Sequence, residues 1–378
     1  MKKRLIVSTV LVLMLAYVIA GCAGTKTETT ASVATEAPAV AASTKAPAAA
    51  TEAAPKLKVA FIANQRFGDA GPIDQMASGA DKAAKDFNVE IKKVESINAA
   101  GYEDDIRAMS DAGYGLVITT FTMTDPMITV SQEYPKTMYA GIYEDVNVEG
   151  QPTYANIWGT SFRGGATFYV NGFIAGKITK SGKIGLIVGA EEAGPNSEAN
   201  AFMEGVKASN PNAEVQFSFV GSYEDPAKAK EIATAMIAKG VDVIQGDAGS
   251  TDTGTIEAAK ENGSVVFLGC VSDYHDSYAN VAGTIKMGFD TTVYDAIQSY
   301  VKGNFAGGTN GIRDITNGGY YVDWPEFDRF ISENTTYGPA LSAALADAKA
   351  LEAKFKDGSM TQPYDTTTPS WDRIKNEK

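Results

Sequence analysis

The side chains of this chain that can bind or react collect just behind short apolar runs. Asn64, Phe67, Asp69 and Asp74 follow the run Lys58 to Ala63 (KVAFIA), Phe121 comes with Thr119 and Thr120 after Leu116 to Ile118, Tyr143 follows Ile142, and Trp158 follows Tyr154 to Ile157. In the second half Asn196 follows Lys183 to Val188 (KIGLIV), Asp247 follows Val241 to Ile244, and Asp273 follows Val265 to Gly269. Carboxylates and amides accept hydrogen bonds from hydroxyl, amide and ring N–H groups, and aromatic rings bury flat molecules at small entropy cost. The chemistry this set suits is non-covalent capture of a neutral, polar, ring-containing ligand. Each residue also has a structural reading: Asp69 and Asp74 precede a helical pattern and are placed to cap it, and the aromatics are equally core or cleft wall.

Other chemistries lack their parts. A Ser-His-Asp hydrolase would have to use His275, the single histidine, and no Gly-x-Ser-x-Gly elbow follows any apolar run. No Gly-rich turn ends in Gly-Lys-Ser/Thr, and Gly68-Asp69-Ala70-Gly71-Pro72 lacks dinucleotide spacing. Two Cys and one His are too few for a Cys/His zinc cluster, so neither a metal nor a cofactor is expected. Thirty-three Lys and Arg against 46 Asp and Glu give a net charge of −13, which argues against a nucleic-acid partner.

The start of the chain reads as an address. Lys2-Lys3-Arg4 precede the apolar run Leu5 to Ala20, and Ile19-Ala20-Gly21-Cys22 looks like a bacterial lipobox, in which Cys22 is lipidated and becomes the mature N-terminus. The run is short for a membrane span of about 20 residues. From Ala23 to Pro55 the sequence is nearly all Ala, Thr, Glu, Ser, Pro and Lys, a tether rather than a fold. Cys270 is then a lone thiol.

The remainder repeats itself. KIGLIV echoes KVAFIA about 125 residues later, Tyr102-Glu103-Asp104 recurs as Tyr223-Glu224-Asp225, and Gly113 and Gly240 each stand where a helix-ending glycine belongs, ahead of a further apolar strand. Short continuous apolar strands alternating with helical patterns predict an α/β fold with parallel sheets covered on both faces. Ligands in such sheets bind outside the carboxyl ends of the strands, so two lobes frame a cleft lined by the residues named above. Trp158, at the point where the chain crosses between lobes, is expected at the cleft floor.

With these elements placed, residues 57 to about 325 resemble the basic membrane protein family, the PnrA-like substrate-binding lipoproteins of ABC transporters, several of which capture purine nucleosides. The resemblance rests on KVAFIAN at Lys58, Gly68-Asp69 with Asp74, DAGYGLVI from Asp111 to Ile118, GSYEDPAKAKEIATAMIAKGVDVI from Gly221 to Ile244, IEAAKENG from Ile256 to Gly263, and YDAIQSYVKGNFAGG from Tyr294 to Gly308. It implies two Rossmann-like lobes joined by crossover strands (the type I periplasmic-binding-protein fold), a permease partner, a membrane held through the lipid anchor, and Lys286 in TIKMGFD as a ligand-reading lysine. Some positions depart from the family pattern. Asn64 stands for a frequent Asp, Pro72-Ile73-Asp74 lacks a stacking aromatic that Phe67 or Trp158 would replace, and Gly269-Cys270-Val271 lacks a ribose-holding Asp, with Asp273 two residues on.

The expected organisation is a signal peptide over 1–21, a lipidated Cys and tether over 22–56, one lobe from 57–160 plus about 275–305, and a second from 161–274 plus about 306–378. The expected function is capture of a small ring compound, first a purine nucleoside or base, by lobe closure, without catalysis. A ligand-sensing surface lipoprotein uncoupled from transport and a nucleoside-processing enzyme on the same scaffold stay open as alternatives.

Overall fold

The computed structural model describes residues 56–68, 71–272 and 274–377. The signal peptide, Cys22, the tether up to residue 55, Asp69 and Asp273 lie outside the described residues.

The first half alternates β1 (Lys58–Ala63), α1 (Pro72–Phe87), β2 (Glu90–Glu95), α2 (Tyr102–Asp111), β3 (Leu116–Thr120), α3 (Thr124–Glu133), β4 (Met138–Ile142) and β5 (Ile157–Phe162). The second half repeats the alternation with α4 (Gly165–Ile178), β6 (Lys183–Val188), α5 (Ala193–Ser209), β7 (Glu214–Phe219), α6 (Pro226–Ala238), β8 (Val243–Asp247), α7 (Asp252–Asn262), β9 (Val266–Cys270) and β10 (Val281–Met287). The chain then returns to the first sheet with α8 (Phe289–Val301) and β11 (Thr309–Arg313), and finishes on the second with β12 (Tyr320–Val322), α9 (Trp324–Glu333), α10 (Gly338–Lys356) and α11 (Trp371–Asn376).

Two six-stranded sheets result, ordered β2-β1-β3-β4-β5-β11 and β7-β6-β8-β9-β10-β12. Every pairing within them is parallel except β10 with β12. The duplication extends to register, since β1 sets Val59 against Leu116 as β6 sets Ile184 against Val243. Central strands such as β3 and β9 are buried throughout, as strands covered on both faces must be. Local chemistry agrees: Asp225 caps α6 by accepting the Lys228 N–H at 3.0 Å, ahead of Pro226. Gly113 and Gly240 turn the chain out of α2 and α6 at φ of +76° and +92°, a conformation that favours glycine.

The lobe boundaries differ from the expectation in two places. β10 lies in the second sheet, so the crossing back to the first lobe falls at Met287–Phe289 rather than near residue 275, and β11 belongs to the first sheet, so the last crossing falls between Arg313 and Tyr320 rather than near 305. Both sheets need one more edge strand than the repeat alone supplies, and the C-terminal third provides it.

α4 carries the second lobe. It is buried on nearly all sides, against the sheet, α5 and α10. Its approach to α5 is possible because Gly172 faces the Phe202 carbonyl and Gly205 faces the Tyr169 carbonyl, where any Cβ would collide with backbone. Gly205→Val should therefore cost about 3 kcal/mol or more, as overpacked cores do, read as a fall in the urea midpoint; an unchanged midpoint would show that the two helices do not pack this closely.

Candidate functional site

The carboxyl ends of the strands of both lobes bear the residues able to meet a ligand. In the first lobe Asn64 leaves β1 with its backbone N–H on Thr120 Oγ1 (3.1 Å), its Oδ1 accepting from the same hydroxyl (3.2 Å), and its Nδ2 donating to Thr122 Oγ1 (3.5 Å). This network fastens the end of β1 to the end of β3. There Phe121 and Thr122 adopt φ of +32° and +46°, Tyr143 after β4 adopts +62°, and Val271 after β9 adopts +65°. Four non-glycine residues in left-handed backbone at three strand ends store strain where ligands of this fold bind. Thr160 Oγ1 accepts the Tyr143 N–H at 2.9 Å and helps hold that turn.

The rings at these turns form one continuous wall. Phe121 and Tyr143 lie 5.5 Å apart, Tyr143 and Phe162 5.4 Å, Phe162 and Phe289 4.9 Å, and Phe162 and Tyr320 6.2 Å, centroid to centroid. The wall thus runs from the strand ends of the first lobe through all three crossovers, since Phe162, Phe289 and Tyr320 flank them. The Tyr143 hydroxyl reaches to within 3.4 Å of where a Cβ of Gly194, in the second lobe, would stand. A second contact between lobes is Gln75 Nε2, which donates to the Val271 carbonyl at 3.5 Å.

Opposite Tyr143 the second lobe presents acid. Asp247 ends β8 and lies beside Glu198 of α5 and the buried Cys270 thiol of β9. Glu198 also accepts the Tyr320 hydroxyl at 2.6 Å and the Gly164 N–H. Burial raises the pKa of both carboxyls, and the charge of Asp247 adds to the effect on Glu198. A carboxyl held above its ordinary range keeps its proton more readily, and can then donate as well as accept. Burial first, then Glu198 and Asp247, push the Tyr143 phenol well up, and Tyr223 is shifted the same way by burial and Asp247. Both phenols therefore stay protonated as donors.

The sequence-predicted residues divide by position. Asn64, Phe121 and Tyr143 stand at strand ends of the first lobe and Asp247 at the end of β8 in the second. Asp74 lies inside α1 and closes the preceding loop by accepting the Gly68 N–H at 2.7 Å. Phe67 packs 5.9 Å from Phe61, with the Lys93 ammonium 5.9 Å from its ring, and faces a surface depression of about 490 Å³ shared with Ser78, Lys82 and Lys85. Asn196 is 6% exposed at the first turn of α5, where its Nδ2 donates to the Thr366 carbonyl (3.1 Å). Lys286 forms a buried ion pair with Glu326 of α9 at 3.1 Å. Trp158 corrects the expectation of a cleft-floor residue. Its strand continues to Phe162, so Trp158 lies level with Ala140, about 13 Å of strand short of the carboxyl end of β5. There it packs on Gly311 of β11.

The sequence reading missed Glu198, Tyr223, Phe162, Phe289 and Tyr320. The signal for Glu198 was a lone acid among the small residues of SEANAF, on a helix whose neighbours are all buried.

A family profile described as "ABC transporter substrate-binding protein PnrA-like" matches residues 56–337. Basic membrane protein A2 of Borrelia garinii subsp. bavariensis is 31% identical over 208 residues, 55% of this chain and 61% of that protein, so the chain spans about three-fifths of that relative's length. Basic membrane protein B of the same organism is 28% identical over 256 residues, 66% of this chain and 75% of its own length. Among solved structures, an ABC transporter solute-binding protein from Aeropyrum pernix K1 superposes with a TM-score of 0.66 at 23% identity, covering 82% of this chain and 94% of that one. One from Conexibacter woesei does so with 0.66 at 21%, covering 82% and 99%. At these identities the likeness is one of fold, two α/β lobes of the type I periplasmic-binding-protein kind.

The buried acids predict a pH dependence. Glu144, 2% exposed beside the strained β3 turn, accepts the Met123 N–H at 2.9 Å, and burial raises it from 4.5 to about 7. A carboxyl raised by folding holds its proton more tightly in the folded chain, so its contribution to stability is complete below the unfolded value of 4.5 and is lost as pH rises through about 7. Glu144 alone corresponds to about 3 kcal/mol across that window. The melting temperature should therefore be higher at pH 5 than at pH 8, and Glu144→Gln should shrink the difference; equal differences in variant and wild type would refute the assignment.

Proposed function

Because the chain belongs to the PnrA-like family of ABC transporter substrate-binding proteins, we propose that it captures a small ring-containing solute outside the cytoplasm and hands it to an ABC permease. In this reading Cys22 carries the lipid that holds the protein at the membrane, and residues 23–55 give the binding unit its reach. Among the described residues no helix is long and apolar enough to cross a membrane.

The observation that carries the reading is the opposition of two unlike surfaces at the strand ends. Phe121 and Tyr143 offer an aromatic wall from one lobe, and the Asp247–Glu198 pair with Tyr223 offers donors and acceptors from the other. A flat ring with polar edges satisfies both at once: its face buries against the wall and its N–H, O–H or carbonyl groups pair with the acids and phenols. Purine nucleosides and their bases have this form, and they are our first choice. Closure of the lobes about the three crossovers then buries the ligand and presents the closed face to the permease. The pair needs no water activation or leaving group for this, so the site works by binding.

A thermal-shift screen of residues 54–378 against nucleosides, free bases, sugars, amino acids and flavins tests the ligand class. A binder at 100 times its dissociation constant stabilises the fold by about 2.7 kcal/mol. We expect a saturable rise with a purine nucleoside or base, lost in Tyr143→Ala and at least tenfold weaker in Asp247→Asn, roughly the value of one buried hydrogen bond to a charged group. Silence from every nucleoside and base with a response to another class would overturn the ligand choice, and turnover of the ligand would overturn binding as the function.

A further inference from the structure

The family-matched residues end at 337, and the chain beyond them does more than cover the second lobe. After α10, which packs along α4, the chain turns at Gly358 (φ +76°) and runs extended to Ser370 before α11 docks on α5. Along this extended stretch its side chains and carbonyls meet two of the three crossovers. Gln362 Nε2 donates to Asp314 Oδ2 at 3.0 Å, in the Arg313–Tyr320 crossover. The Pro363 carbonyl lies against Gly165, where any Cβ would collide with it, and the Tyr364 ring lies 4.4 Å from the Arg163 guanidinium; both partners sit in the Phe162–Gly165 crossover.

The stretch continues to the rim of the site. Thr368 Oγ1 donates to Glu191 Oε1 at 2.6 Å, in the loop just before α5, the helix whose first-turn Gly194 faces Tyr143. Its backbone carbonyls are held by α5. Asn196 Nδ2 donates to Thr366 O (3.1 Å), and Asn200 Nδ2 donates to both Asp365 O and Thr367 O (2.9 Å each). Arg373 of α11 locks the arrangement through Asp365 Oδ2 (2.7 Å) and Asn200 Oδ1 (2.9 Å). An extended segment has no internal partners for its backbone groups, so two buried asparagines on one helix, both spent on these carbonyls, mark a built seat.

We propose that residues 359–370 are a strap that restrains the hinge, so that the lobes move only as far as the strap lets Arg163 and Asp314 shift, and that the same strap fixes the Glu191 loop at the cleft rim. Lobe movement concentrates its φ/ψ changes in the crossovers, and the strap ties two of these to one rigid helix. The inference rests on lobe closure as the working motion, and its test needs no ligand, so a failed ligand screen leaves it standing or falling by itself.

The test is amide hydrogen exchange of the full-length chain without ligand, comparing wild type with the triple variant Gln362→Ala, Tyr364→Ala, Thr368→Val. These residues touch the crossovers and the rim, and Tyr364 is 51% exposed, so the core is spared. We expect exchange at residues 163–166 and 314–320 to accelerate about tenfold, the effect of losing roughly 1.4 kcal/mol of local restraint, with strands β1 and β6 unchanged. Acceleration confined to 359–370, with the crossovers at wild-type rates, would overturn the proposal and leave the segment a packing element. If the triple variant does not fold, Tyr364→Ala alone is read in the same way, with the same two outcomes.

Discussion

A carboxyl group buried where the lobes join organises this molecule. Glu198 accepts the Gly164 N–H from the first crossover and the Tyr320 hydroxyl from the strand just after the last one, and it contacts Asp247 at the end of β8. A carboxyl taken out of water is tolerated only where every lone pair finds a donor or a proton is retained. Here the Tyr320 hydroxyl donates to Glu198 and burial favours its protonated form, and residue 164 must be glycine, because a Cβ would strike Glu198 and the Tyr320 ring. The crossovers are thus gathered around an acid that lies beside Asp247 at the end of β8.

That adjacency puts the crossovers and the end of β8 in one electrostatic environment. The aromatic wall supplies the mechanical counterpart, since Tyr143 at the strand end and Phe289 and Tyr320 beside the crossovers touch through Phe162. Within a duplicated architecture the two lobes have therefore diverged in chemistry. One contributes rings on strained turns, and the other contributes acids on a buried helix and strand end.

Much of the fold was legible because it is written in local signals. Apolar runs, helix-ending glycines such as Gly113 and Gly240, and the repeat offset specify strands, helix ends and lobes without reference to distant residues. That Asn64, Phe121, Tyr143 and Asp247 stand at strand ends could be read for the same reason, because each follows an apolar run. Trp158 was misplaced because the end of β5 depends on how far it pairs with β4 and β11, a long-range property. Lys286 could not be seen to pair with Glu326, nor Asn196 to hold the C-terminal segment, since those partners lie on elements that only the tertiary fold brings near. Glu198 was hidden in a helix whose composition looked merely small and polar.

The late arrival of β11 also shapes how the protein must fold. Until Thr309–Arg313 pairs beside Trp158–Phe162, β5 is an open parallel edge, and the second sheet likewise waits for β12 to close β10. Neither sheet can be completed until the chain has been made past Arg313 for the first and Val322 for the second. Contacts of such sequence separation form slowly, and unpaired edges invite association with other chains. A nascent molecule of this topology therefore spends its most vulnerable period nearly full length, and anything that keeps it from folding before its last strands are present protects it from its own edges.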